Sequence, residues 1–177
     1  MSKNLVAELE LLADGLKSET PGTEHLSLTT LGERIAKHLH VKTDEVAILA
    51  ISEKWRHLYF LVPHALRNVG HIPLSSTSAL AAKTAREKKA DIENNFSTVR
   101  HASVFEGVKA ESLNATAIQK IISAPIISDG KVMGVIQISR KAPTPAEGGP
   151  DFTREDLNKV VAISKPLGKL IKHLVAE

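Results

Sequence analysis

The side chains able to do chemistry in this chain are hydroxyls, amides and imidazoles. Ser75, Ser76, Thr77 and Ser78 run together just ahead of a helical segment. There they offer hydroxyls and helix N-terminal N–H groups to an anion, or equally ordinary N-cap chemistry. Asn94 and Asn95 fit either the hydrogen-bonding edge of a ligand or a turn that tolerates a left-handed backbone. Eight histidines are present, but His38, His40, His57, His64 and His173 show no metal-ligand spacing. His38 and His40 lie at i, i+2, which does not converge on a helix. No GxSxG elbow, HExxH pair or phosphate-binding Walker loop occurs. The chain contains no cysteine, which removes thiolate zinc sites, disulfides, redox pairs and thiol nucleophiles at a stroke.

The remaining composition is that of an ordinary globular protein. Of 177 residues, 42% are hydrophobic and 24% charged, so disordered and collagen-like classes are excluded. Only 3% are aromatic, and aliphatic side chains must therefore supply the packing. The N-terminus has no long apolar stretch before its first acid and does not resemble a secretory signal. The apolar runs at 46–51 and 58–62 are far shorter than a membrane span, so a soluble, cytoplasmic protein with no membrane partner is expected. The net charge of +3 is small, and the basic cluster Lys83, Arg86, Lys88 and Lys89 is interrupted by Glu87. A solvated helix face accounts for it, and no nucleic-acid partner is expected.

These residues need a scaffold, and the periodicity supplies one. Leu5, Leu9, Leu12 and Leu16 form an a/d seam on a short helix, followed by a polar, Pro-Gly-broken linker over 17–24. A second helix is predicted from Ser27 to Leu39, with Leu28, Leu31, Ile35 and Leu39 on one face. The runs Val46–Ile51 and Leu58–Val62 read as a hairpin. They do not alternate apolar with polar, which implies a sheet covered on both faces. A strand near His71–Leu74, a helix over 78–89, a short strand at 90–94 and a short helix at 102–110 follow. Asp129-Gly130 between apolar runs marks a type I′ hairpin, and Pro125 suggests an unpaired or bulged position in its first strand. Thr153 and Asp156 make a capping box, with Phe152 stapling to Leu157. Leu157, Val160, Val161, Leu167, Leu170, Ile171 and Leu174 then make an apolar stripe along the last helix, in which Pro166 predicts a kink or break. The order gives an α+β fold: an antiparallel sheet, terminal helices on one face and the middle elements on the other.

Several segments, in this order and spacing, resemble the GAF domain family. They are Gly70-His71-Ile72-Pro73-Leu74 with its following helix, Asp91-Ile92-Glu93-Asn94-Asn95, Arg100-His101-Ala102-Ser103-Val104-Phe105-Glu106-Gly107, the hairpin through Ser123-Ala124-Pro125-Ile126-Ile127 and Gly134-Val135-Ile136-Gln137-Ile138, and Phe152-Thr153-Arg154-Glu155-Asp156-Leu157. The resemblance divides the chain into an N-terminal helix and linker, 1–25, and a GAF-like domain, 26–177. It implies a GAF/PAS-like sheet of five to six strands, with short helices and loops over a pocket on the face opposite the terminal helices. Ser76, Asn94, Phe96, His101 and Phe105 match the family's ligand-proximal segments and are expected to border that pocket. His101 offers a hydrogen bond or an iron ligand there, against the plainer reading of a histidine capping local backbone.

The family is one of sensory and regulatory modules that bind cyclic nucleotides, tetrapyrroles, haem or small metabolites, and many of its members dimerise through terminal helices. Here Ser75 to Ser78 stand where glycines are frequent, and the cyclic-nucleotide signature is missing. Covalent bilin attachment and the family's cysteine-dependent reduction of free methionine sulfoxide both need thiols that this chain lacks. The expectation is a non-enzymatic module that binds an unidentified small molecule, its cofactor unnamed, and signals through a partner or its own homodimer. No output domain such as a kinase, cyclase or helix-turn-helix is recognised in the sequence. The other reading is a structural dimerisation or protein-interaction module with no ligand, and an enzyme of unrecognised type ranks third.

Overall fold

The computed structural model describes residues 5, 7, 23–62, 71–77, 79–96 and 118–174. In chain order the elements are α1 (Thr23–Leu39), β1 (Val46–Ser52), β2 (His57–Val62), β3 (His71–Pro73), α2 (Leu80–Glu87), β4 (Asp91–Glu93), β5 (Ile118–Ser128), β6 (Lys131–Lys141) and α3 (Arg154–Leu174). Short 3-10 turns precede β1 at Thr43–Glu45 and follow β6 at Pro145–Glu147. The strands form one sheet in the order β3-β2-β1-β6-β5-β4, and each neighbouring pair runs antiparallel. The predicted α+β architecture is the observed one.

Both faces of the sheet are apolar because successive side chains of a strand point to opposite sides. Val46, Ile48 and Ala50 of β1 join Ile136 and Ile138 of β6 and Ile122, Ala124 and Ile126 of β5 on one face. Leu31, Ile35 and Leu39 of α1 and Val160, Ile163, Leu167, Leu170 and Ile171 of α3 cover that face. Ala47 and Leu49 of β1, Leu58 and Phe60 of β2, Ile121 of β5 and Val135 of β6 point the other way. They pack with Ala79 to Ala82, Ala85 and Phe96. Leu5, at the start of the predicted leucine seam, is helical and buried in the core of the terminal-helix face. Leu9, Leu12, Leu16, the 102–110 helix and the side chains of Leu28 and Leu174 lie outside the described residues.

Local chemistry sets the boundaries. Asp129 and Gly130 have φ of 54° and 77°, the left-handed pair that a type I′ turn needs. The last helix opens with a reciprocal capping box: Thr153 N donates to Asp156 Oδ2 (2.8 Å) and Asp156 N to Thr153 Oγ1 (3.2 Å). Phe152 and Leu157 join the same core. Three expectations are corrected. Val161, read as part of the apolar stripe of the last helix, is exposed. Helix α1 begins at Thr23, inside the stretch read as linker. Pro166 does not break α3, which runs through it. Burying Ile163, Leu167, Leu170 and Ile171 against the sheet outweighs the roughly 3 kcal/mol that an interior proline costs. Pro125 lies in β5 beyond the residues that pair with β4, and the nearby irregularity falls one step on, between Ile126 and Ile127.

Strands β1 and β6 lie close together at Gly134, which faces Ala50 across their ladder. A Cβ there would fall inside the van der Waals envelope of the Leu49 carbonyl oxygen, and that oxygen belongs to backbone that cannot turn aside. Gly134→Ala is therefore expected to cost about 3 kcal/mol, read as a lowered midpoint in urea unfolding. An unchanged midpoint would mean that the two central strands are not packed this closely.

Candidate functional site

The antiparallel register brings two hairpin tips to the same end of the sheet. Because β1 and β6 are neighbours, the β1–β2 turn at 53–56 lies beside the β5–β6 turn at Asp129-Gly130. Ser52 Oγ accepts a hydrogen bond from Trp55 N (3.2 Å), and Arg56 takes a left-handed φ of 54° to close the first turn. Leu74 N donates to Arg56 O (3.1 Å), which ties the chain leaving β3 to that turn. Ser76 then donates its N–H to Pro73 O (3.0 Å) and accepts from Ala79 N at Oγ (3.1 Å), turning the chain into α2.

Helix α2 is held over the sheet by polar as well as apolar contacts. Thr84 Oγ1 and Ser123 Oγ are 2.6 Å apart, and Gln137 Nε2 donates to the same serine oxygen at 3.1 Å. All three side chains are buried. This chain of hydrogen bonds fixes α2 above β5 and β6 and thereby sets the position of its last turn. Arg86 on that turn donates to the carbonyl oxygens of Leu74 and Ser76, each at 2.6 Å. Lys88 ends the helix in a left-handed conformation (φ 54°), its N–H on Thr84 O (3.0 Å).

Between these parts lies a groove of ≈540 Å³, within the size range of small-molecule sites. Its described lining has an apolar component, Ile51, Leu74, Ala85 and Val132, and a charged one, Glu53, Arg56, Arg86, Lys88 and Lys131. Ser75 and Gly130 complete it. Glu53 and Lys131 form an ion pair at 2.5 Å across the two hairpin tips, and this bond holds the Glu53 carboxyl below its ordinary range. The basic cluster read from the sequence as a solvated face thus contributes Arg86 and Lys88 to a concavity. Its signal in the sequence was the pair of hairpin turns flanking that cluster. The clue was missed because only strand register shows that the tips converge.

The expected site residues are placed as follows. Ser76 neighbours the groove at Ser75 but spends its hydroxyl on the entry to α2. Asn94 does not line the groove. Its amide clasps the backbone of Phe152, donating from Nδ2 to the carbonyl oxygen (3.1 Å) and accepting from the N–H at Oδ1 (2.8 Å). Phe96 is buried in the core beneath α2. His101 and Phe105 lie outside the described residues. Among the described residues there is no cluster of three or more histidines and acids able to hold a metal, and no helix long and apolar enough to cross a membrane.

A second feature stands on the edge of the sheet. The rings of His57 and His71 stack at 4.7 Å with an interplanar angle of 8°. Burial, then the neighbouring His71, lowers the pKa of His57. Burial, then the Lys159 charge, does the same to His38.

With the geometry in view, the comparisons with known proteins can be read. The GAF domain model matches residues 25–171. The chain belongs to the GAF domain family. No curated protein sequence matches it. Among solved structures, it is similar to the GAF domain of an Acinetobacter phosphoenolpyruvate-protein phosphotransferase, with 18% identity and a TM-score of 0.68 over 98% of this chain and 93% of that one. It is also similar to the nlh2 GAF domain of A. aeolicus in an inactive state (19%, TM-score 0.62, 97% and 95%). A third is the free methionine-R-sulfoxide reductase of Neisseria meningitidis in complex with its substrate (15%, TM-score 0.62, 97% and 89%). At these identities the likeness is one of fold. GAF domains are in general regulatory, although this last relative is an enzyme.

Two outcomes follow from the site's geometry. Asn94→Ala, which removes both bonds to Phe152, is expected to lower stability by about 2 kcal/mol, read by chemical denaturation; no change would remove the clasp from the account. The lowered pKa of His57 means that the unfolded chain binds the proton more tightly. Its contribution to stability is complete above the ordinary value of 6.5 and is lost as pH falls through the lowered one. The melting temperature should drop between neutral and mildly acid pH, less steeply in His71→Gln. Identical slopes in the two proteins would contradict the coupling.

Proposed function

We propose that this GAF domain is a small-molecule-binding regulatory module that acts in signal transduction through a partner or its own dimer and carries out no catalysis. The observation that carries the reading is the groove: it has an apolar lining and a polar rim, and separate segments of the chain build it. A ligand seated there would tie the end of α2 to both hairpin tips. Strands β1 and β6 reach the groove at Ile51 and Val132, and on their other face pack against α1 and α3 through Ile48, Ala50, Ile136 and Ile138. A change at the groove therefore has a short, packed route to the terminal helices. The proposal extends to a homodimer built on those helices and to a cytoplasmic setting. The absence of any cysteine supports the non-enzymatic reading, because this chain has no thiol with which to reduce a sulfoxide.

Native mass spectrometry reads ligand and subunit count together. The expected spectrum is a dimer with one small molecule per chain, released on denaturation. Monomers that carry nothing, combined with no thermal stabilisation by any member of a broad metabolite panel, would overturn the reading.

A further inference from the structure

We propose that the groove is selective for a small organic anion, a phosphate or carboxylate attached to a short apolar body. This rests on the reading of the groove as a ligand site and names the chemistry that the site would take. Among the described residues, the charged part of its lining is four cations and one acid: Arg56, Arg86, Lys88 and Lys131 against Glu53. They are not equivalent. Lys131 is engaged by Glu53, and one terminal nitrogen of Arg86 is turned onto the Leu74 and Ser76 carbonyls. Arg56 and Lys88 reach the groove from separate segments, the β1–β2 turn and the end of α2, and both are exposed. Glu53 is ion-paired with Lys131 and feels Arg56 only through the field of its charge, so Arg56 and Lys88 present their charge to an incoming anion. A guanidinium and an ammonium lining one groove suit a phosphate or carboxylate, the first by its planar fork and the second as a point charge.

Apolar surface accompanies the charge. Ile51, Leu74, Ala85 and Val132 line the same groove and offer burial to a body that a bare inorganic ion lacks. Arg56 and Lys88 each have φ of 54°, a region in which side chains other than glycine and asparagine are uncommon. Asparagine can therefore replace either residue without backbone cost, and such a variant removes charge while leaving the turns intact.

The test is a titration followed by backbone amide NMR, with phenyl phosphate, inorganic phosphate and neutral benzyl alcohol as probes. Trp55, the only tryptophan in the chain and a neighbour of Arg56, gives a parallel fluorescence signal. Phenyl phosphate should shift the amides of 53–56, 74–75, 85–88 and 130–132 saturably, and bind more tightly than either other probe. Arg56→Asn combined with Lys88→Asn should weaken it by about tenfold or more. Glu53→Gln, which frees Lys131, should strengthen it several-fold. If benzyl alcohol shifts the same amides as strongly, and the double variant binds both organic probes unchanged, the charge selectivity is wrong and the ligand site stands. If phenyl phosphate shifts amides elsewhere, the selectivity assigned to this groove is wrong. If no probe shifts any groove amide, the groove is not a ligand site and the functional reading fails with it.

Discussion

A sheet that is apolar on both faces has to be covered twice, and the rest of this structure follows from that requirement. The continuous aliphatic runs of β1, β5 and β6 give each face its own set of buried side chains. Water would be an unfavourable neighbour for either set. One face receives α1 and α3, and the other receives α2 and Phe96. The two layers differ in kind. The terminal helices present long aliphatic stripes, whereas α2 is short, rich in alanine and anchored by the buried Thr84–Ser123–Gln137 hydrogen bonds. A layer of that sort lies close to the strands and ends abruptly, and its C-terminal edge leaves the concavity in which the charged residues gather.

The groove's position is a product of register. Gly134 lets β6 lie close against β1, and the antiparallel pairing then brings the β1–β2 and β5–β6 turns to the same end. The Glu53–Lys131 pair joins the two tips, and the Arg56–Leu74 and Arg86–Leu74 backbone contacts join the first tip to α2. Surface ion pairs contribute little to stability. Here the pair marks Lys131 as the groove cation that is engaged by an acid.

Much of the fold was legible in the residues themselves. The hairpin of β1 and β2 came from unbroken apolar runs, the second hairpin from Asp129-Gly130, and the start of α3 from Thr153 and Asp156. These are local signals in which chemistry and conformation lie within a few residues of each other. The site was less legible because it is non-local. Asn94 is a hydrogen-bonding amide in either role, and only the position of Phe152, far along the chain, shows that its bonds are used within the fold. Lys88 and Arg56 are unremarkable in sequence, and only the fold brings both to the lining of one groove. The break expected at Pro166 failed for a related reason: its local cost is evident, while the burial that offsets it is spread along the helix before and after it.

The central claim is that one sheet connects a ligand groove on one face with the helices on the other. Amide hydrogen exchange, measured with and without saturating phenyl phosphate, tests this most directly. The account predicts slower exchange at 53–56, 85–88 and 130–132, together with a measurable change in α3, which does not line the groove. Exchange rates that alter at the groove while those of α3 stay the same would contradict it.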